Sequence, residues 1–187
     1  MKNNTLVVYF SYSNGNTRHI AELAQKALGA DLAEIKPVHP YTGTYNEVVE
    51  QGQREVERGF KPEIEPLSVT LSDYDTVAVG TPTWWYTMAP AVLTFLTANN
   101  WAGKTVIPFM TNGGWPGHVI KDMAGFVPGI RARQKQHAGS RRSDVVSQAI
   151  GHHRQSAHRM DWRFGSTDRL QQDLRRVFLE KAAGMEF

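Results

Sequence analysis

Residues 6–10 read LVVYF, five apolar or aromatic side chains without a polar interruption. A strand with one face in water alternates apolar with polar residues. A run without alternation is buried on both faces, and such strands belong to parallel sheets covered by helices. Three more runs share this character: 76–79, closed by Gly80 and Pro82; 106–110, closed by Asn112-Gly113-Gly114; and a shorter one at 32–35 that Pro37 ends. Helical patterns lie between them. Residues 17–28 carry Ile20, Leu23, Ala24, Ala27 and Leu28 at helical spacing, with Gly29 as C-cap. Residues 45–58 are amphipathic through Val48, Val49 and Val56, and 89–97 open with Pro90, suited to a first helical turn. Alternating strand and helix predicts an α/β fold with a parallel sheet, and 187 residues suit one domain.

Several function classes drop out. The chain has no cysteine, so disulfides, thiolate metal sites and cysteine nucleophiles are excluded. No apolar run approaches the roughly 20 residues of a membrane span, and the N-terminus lacks a secretory cleavage pattern. A cytoplasmic protein without a membrane partner is the expectation. Histidines give no metal signature, because His152 and His153 are adjacent and diverge on either a strand or a helix.

In open parallel sheets ligands bind beyond the C-terminal strand ends, and three turns in those positions are rich in chemistry. "SYSNGNT" offers hydroxyls from Ser11, Ser13 and Thr17, amides from Asn14 and Asn16, and a turn-forming Gly15. It contains no acid and runs into a helix, where donors and the helix dipole favour a phosphate. Neither a nucleoside-triphosphate loop nor a dinucleotide fingerprint is present; neutral donors suit a single terminal phosphate. "TPTWWYTMAP" holds Pro82, Thr83, Trp84, Trp85 and Tyr86. Two adjacent tryptophans after a strand cannot share one core, so one lines a cleft or the surface, where its flat face suits stacking on a ring. "TNGGWPGH" adds Asn112, Gly113, Gly114 and Trp115: glycines for close backbone approach and another aromatic face. A polar turn, a buried tryptophan pair and a plain glycine turn are the structural alternatives. Together the loops describe a ligand with a terminal phosphate and a flat ring system.

With these stretches in order, the chain resembles the flavodoxin family over roughly residues 5–125. The resemblance rests on "VVYFSYSNGNTRHIAE", "DYDTVAVGTPTWWYTMAPAVLTFL" and "WAGKTVIPFMTNGGWPG". It implies a doubly wound five-stranded parallel sheet in the order 2-1-3-4-5, and FMN as cofactor. Residues 11 and 13–17 then match the phosphate loop, 82–86 the loop flanking one side of the isoalloxazine, and 112–115 the loop at its pyrimidine edge and other face. The family often has glycine where Tyr86 stands, and tyrosine makes a positive φ costlier there.

Beyond about residue 125 the pattern fades. Residues 1–120 hold 8 Lys/Arg and 11 Asp/Glu, whereas 121–187 hold 13 and 7. The segment 131–166 has eight Lys/Arg, two acids and four histidines. A fifth strand at 144–150 or 158–164, an inserted loop at 130–157 and a closing helix at 167–183 are expected. The basic segment is read as a solvated loop, a docking surface for an acidic redox partner, or an altered reading frame. Two functions stay open: an electron carrier serving a partner protein, or an NAD(P)H-dependent reductase of a small acceptor such as a quinone. His19 and His118 lie near the loops as candidate proton donors; outer-sphere transfer needs none. An interaction module with a basic nucleic-acid-binding segment is the remote alternative, weakened because that segment lacks a recognisable motif, and an interaction protein that has lost FMN fits poorly with intact loops.

Overall fold

The computed structural model describes residues 4–127 and Arg176. Strand β1 (Thr5–Tyr9) leads to helix α1 (Asn16–Leu28), β2 (Asp31–Glu34), α2 (Tyr45–Glu57), a 3₁₀ turn at Leu71–Asp73, β3 (Thr76–Trp84), β4 (Thr87–Met88), α3 (Pro90–Ala98), β5 (Thr105–Thr111) and α4 (Val119–Phe126).

Four strands are parallel and lie in the spatial order β2-β1-β3-β5, with Val7 opposite both Leu32 and Ala78, and Ala78 opposite Ile107. This matches the first four strands of the expected order. The fifth strand, the inserted loop and the closing helix fall outside the described residues, apart from Arg176. Strand β4 was not foreseen: it folds back antiparallel on the end of β3, pairing Thr83 with Met88 and Trp84 with Thr87. Helix α4 was not foreseen either.

Strand periodicity splits the core into two layers. Leu6 and Val8 point to one face with Val77, Val79, Phe95, Trp101 and Met123. Val7 and Tyr9 point to the other, with Ile20, Leu23 and Ala24 of α1, and Ile107 and Phe109. Leu6, Val7 and Val8 are fully buried, as an unalternating run requires.

Strand β3 corrects one reading. Gly80 and Pro82 were expected to end it, yet pairing continues through both, Gly80 opposite Phe109 and Pro82 opposite Thr111. Gly80 is there for packing: a Cβ would lie 2.2 Å from Cζ of Phe109, so the ring occupies the space a side chain would take. Pro82 is tolerated because it sits at the end of the ladder, where few backbone bonds remain to be lost. The extension carries the tryptophans beyond the sheet's C-terminal edge.

Candidate functional site

The first loop forms because β1 must reverse into α1 within a few residues. Ser13 (φ 54°) and Gly15 (φ 72°) are both left-handed. Such turns aim successive backbone N–H groups into one concavity. Gly15 precedes α1, whose N-terminus has no side-chain cap and no acidic residue in its first turn. The helix therefore offers its positive end to the cleft. Ser11 Oγ accepts a hydrogen bond from Arg18 N at 3.2 Å, and the Arg18 guanidinium reaches Glu34 at 2.7 Å. The loop thus presents neutral donors, its nearest cation being engaged elsewhere.

The second loop is the hairpin from β3 to β4. Trp85 (φ 47°) and Tyr86 (φ 68°) both have positive φ. A two-residue turn of this hand ordinarily uses Asn-Gly or Gly-Gly, so two large aromatics there hold strain that neighbours must offset. Trp85 Nε1 donates to Val49 O at 3.1 Å, and His118 N donates to Tyr86 O at 2.8 Å. Gly117 is required: a Cβ on it would lie 2.1 Å from Tyr86 O. The tyrosine adopts the conformation that the sequence marks as costly.

The adjacent tryptophans diverge as expected. Trp84 packs into an edge-to-face cluster with Phe10, Tyr12 and Tyr41, at centroid distances of 5.7, 5.8 and 4.9 Å. Gly52 makes room on α2, since a Cβ would be 3.1 Å from Trp84 Cε3. Tyr41 is locked by donating to Glu55 Oε2 at 2.6 Å, and burial, then that carboxylate, push its phenol far above the usual range. Trp85 remains 41% exposed.

These pieces enclose a cleft of about 310 Å³ at the C-terminal ends of β1, β3 and β5. Among the sequence-derived residues, Ser13, Asn14, Asn16 and Thr17, then Pro82, Thr83, Trp84 and Trp85, then Asn112 and Gly113 line it. Ser11, Gly15, Tyr86, Gly114 and Trp115 are not part of its wall. Trp115 is 76% exposed, and Gly114 N donates to Asn112 Oδ1 at 2.8 Å, which shapes the third loop.

Sequence reasoning missed one side of the cleft. Tyr45, Val48, Val49 and Gly52 of α2 form it, together with Tyr12 and Thr111. Their spacing is that of a single helix face, and a glycine inside an amphipathic helix was the available signal. Helix α2 is set at its start by reciprocal bonds: Thr44 N donates to Glu47 Oε2 at 2.7 Å and Glu47 N to Thr44 Oγ1 at 3.4 Å. No lining residue carries a formal charge. The wall can hold a polar group at the α1 end and a flat apolar body against Trp84 and Trp85.

Comparison with known proteins agrees with this architecture. Residues 4–148 match the family model described as flavodoxin. A crystal structure of a protein assigned as a flavoprotein from Bacteroides eggerthii is 32% identical, with a TM-score of 0.61 over 66% of this chain and 80% of that one. Another assigned in the same way, from Bacteroides uniformis, is 32% identical, with a TM-score of 0.60 over 67% of this chain and 83% of that one. A flavoprotein from Lactobacillus acidophilus, solved in complex with FMN, shares the fold at 22% identity and a TM-score of 0.59, over 67% of this chain and 86% of that one. No curated protein matches the chain. Sequence match, strand order and the position of the cleft agree: the chain belongs to the flavodoxin family.

Proposed function

We propose that the chain is an FMN-binding redox protein that carries electrons through bound flavin. The observation that supports this most is the pairing, in one uncharged cleft, of the N-terminus of α1 with the wall formed by Trp84 and Trp85. A phosphate monoester suits the first part, because backbone and neutral side-chain donors at a helix N-terminus stabilise an anion without a lysine. A flat aromatic ring suits the second. In this reading Ser13, Asn14, Asn16 and Thr17 hold the phosphate, and Asn112 and Gly113 meet the polar edge of the ring. Bound FMN supplies the electron chemistry; the chain contributes placement and the exclusion of water.

The Lactobacillus relative, solved in complex with FMN, supports the choice of cofactor by analogy of fold. Titration of the apoprotein with FMN and with riboflavin tests it. FMN is expected to bind at least about a hundredfold more tightly, the equivalent of roughly 3 kcal/mol in phosphate contacts. Equal affinities would remove the phosphate-loop assignment. Oxidation of NAD(P)H by the reconstituted protein, with and without a quinone, separates a carrier from a reductase: the carrier reading expects no sustained turnover.

A further inference from the structure

Tyr41 does not line the cleft, yet Trp84 joins the two. Trp84 is part of the cleft wall, and the Tyr41 ring lies edge-to-face against it with centroids 4.9 Å apart. Rings at this separation are in van der Waals contact, close enough for an electron to pass directly between them. At its other end the Tyr41 phenol donates to Glu55 Oε2 at 2.6 Å, the length of a charge-assisted bond. Gln51 Nε2 donates to the second oxygen, Glu55 Oε1, at 2.7 Å and fixes the carboxylate. Glu55 is half-buried, so a proton it takes up has a way to water.

A phenol that loses an electron becomes a very strong acid. Its oxidation is therefore easy only where a base already holds the proton within hydrogen-bond reach. Burial, and then the Glu55 carboxylate, keep Tyr41 protonated, so Glu55 is the acceptor that its oxidation needs. Two other tyrosines each lack one half of this arrangement. Tyr12 lies 5.8 Å from Trp84 but makes no hydrogen bond to a carboxylate among the described residues. Tyr74 donates to Asp31 at 2.7 Å but has no tryptophan ring against it among the described residues. Tyr41 has both.

We propose that Trp84, Tyr41 and Glu55 form a one-electron relay that carries an oxidising equivalent from the cleft to Tyr41. The oxidant, light-excited flavin in the cleft, rests on the FMN reading; the relay is built from the chain's own residues. The Trp84 indole gives one electron to the oxidant and regains one from Tyr41. The Tyr41 O–H bond breaks, and its proton passes to Glu55 Oε2. Trp84 ends unaltered, Tyr41 as a neutral phenoxyl and Glu55 as a neutral acid. Pulse radiolysis of the full chain without FMN tests this. Azide radicals oxidise tryptophan, and the tryptophan and tyrosine radicals are followed by their separate visible bands. The tryptophan radical is expected to decay in a concentration-independent step as a tyrosine radical rises, more slowly in D2O. Tyr41→Phe and Trp84→Phe should each remove this phase, and Tyr74→Phe should leave it in place. Glu55→Gln keeps a hydrogen-bond acceptor but not the base, and should slow the step at least about tenfold. A phase that survives Tyr41→Phe, or a rate that Glu55→Gln and D2O both leave unchanged, overturns the proposal. Laser excitation of FMN-loaded protein should generate the same Tyr41 radical, and its absence in protein that holds FMN overturns the link to the cleft. FMN binding is titrated separately, so if the FMN reading fails, the radiolysis still decides the relay.

Discussion

The hydroxyls of Thr17 and Thr111 lie 2.7 Å apart, buried, and join residues 94 positions apart in the chain. One stands in the first turn of α1 and the other closes β5, so this bond ties the first loop to the third across the floor of the cleft. A buried hydroxyl that loses its partner carries a desolvation penalty, whereas removing both hydroxyls together does not leave one stranded. Thr17→Val and Thr111→Val are each expected to lower stability by about 1–2 kcal/mol, and the double variant by less than their sum. Urea denaturation measures all three. Strict additivity would mean the two hydroxyls are not coupled.

Tyr86 is exposed and held at φ 68°, where glycine meets no steric penalty. Its backbone carbonyl, not its ring, accepts the hydrogen bond from His118 N. Tyr86→Gly is therefore expected to raise stability by roughly 1 kcal/mol, relief of strain exceeding the added chain entropy. A fall in the thermal midpoint would show instead that the ring contributes packing.

Trp84 and Trp85 are expected to answer differently to truncation. Trp84 anchors three other rings and the Gly52 side of α2, so Trp84→Ala should lower stability by roughly 2–4 kcal/mol. Trp85, half exposed, is the better placed to quench a bound flavin. Trp85→Ala should restore FMN emission with little loss of stability, as read by fluorescence of the reconstituted variants. Full quenching retained in that variant would move the stacking role to Trp84.

Tyr74 donates to Asp31 Oδ2 at 2.7 Å, tying the segment before β3 to β2. That bond to a carboxylate, with burial second, pushes its phenol up to about 12. An unfolded tyrosine titrates near pH 10, so the folded state keeps its proton to higher pH. The contribution is whole below pH 10 and is lost as pH rises through about 12. Tyr74→Phe should flatten the alkaline fall in stability over this window without abolishing it, because Tyr41 and Tyr9 are also raised. An alkaline limb as steep as that of the unaltered chain would exclude Tyr74 from it.

Features carried by periodicity and by local turn chemistry are legible from the residues of each segment alone. The unalternating run at 6–10 is β1, buried on both faces, and the polar residues after it open α1. Gly29 ends that helix in the left-handed conformation a C-cap requires. The tertiary structure decided which groups meet across the fold. That α2 supplies a wall of the cleft depends on how the segment between β2 and β3 packs over the sheet, and no residue of α2 encodes its distance from Trp84. The continuation of β3 through Gly80 depends on the Phe109 ring of a strand 25 or more residues away, as the register of β3 with β5 places it. Trp115 reads in sequence like Trp85 and stands outside the wall, because the hairpin at 85–86 is pinned to α2 while the third loop is shaped by Asn112 on itself. Periodicity is a property each segment carries alone; partnership between segments is set only when crossover, register and packing are all in place.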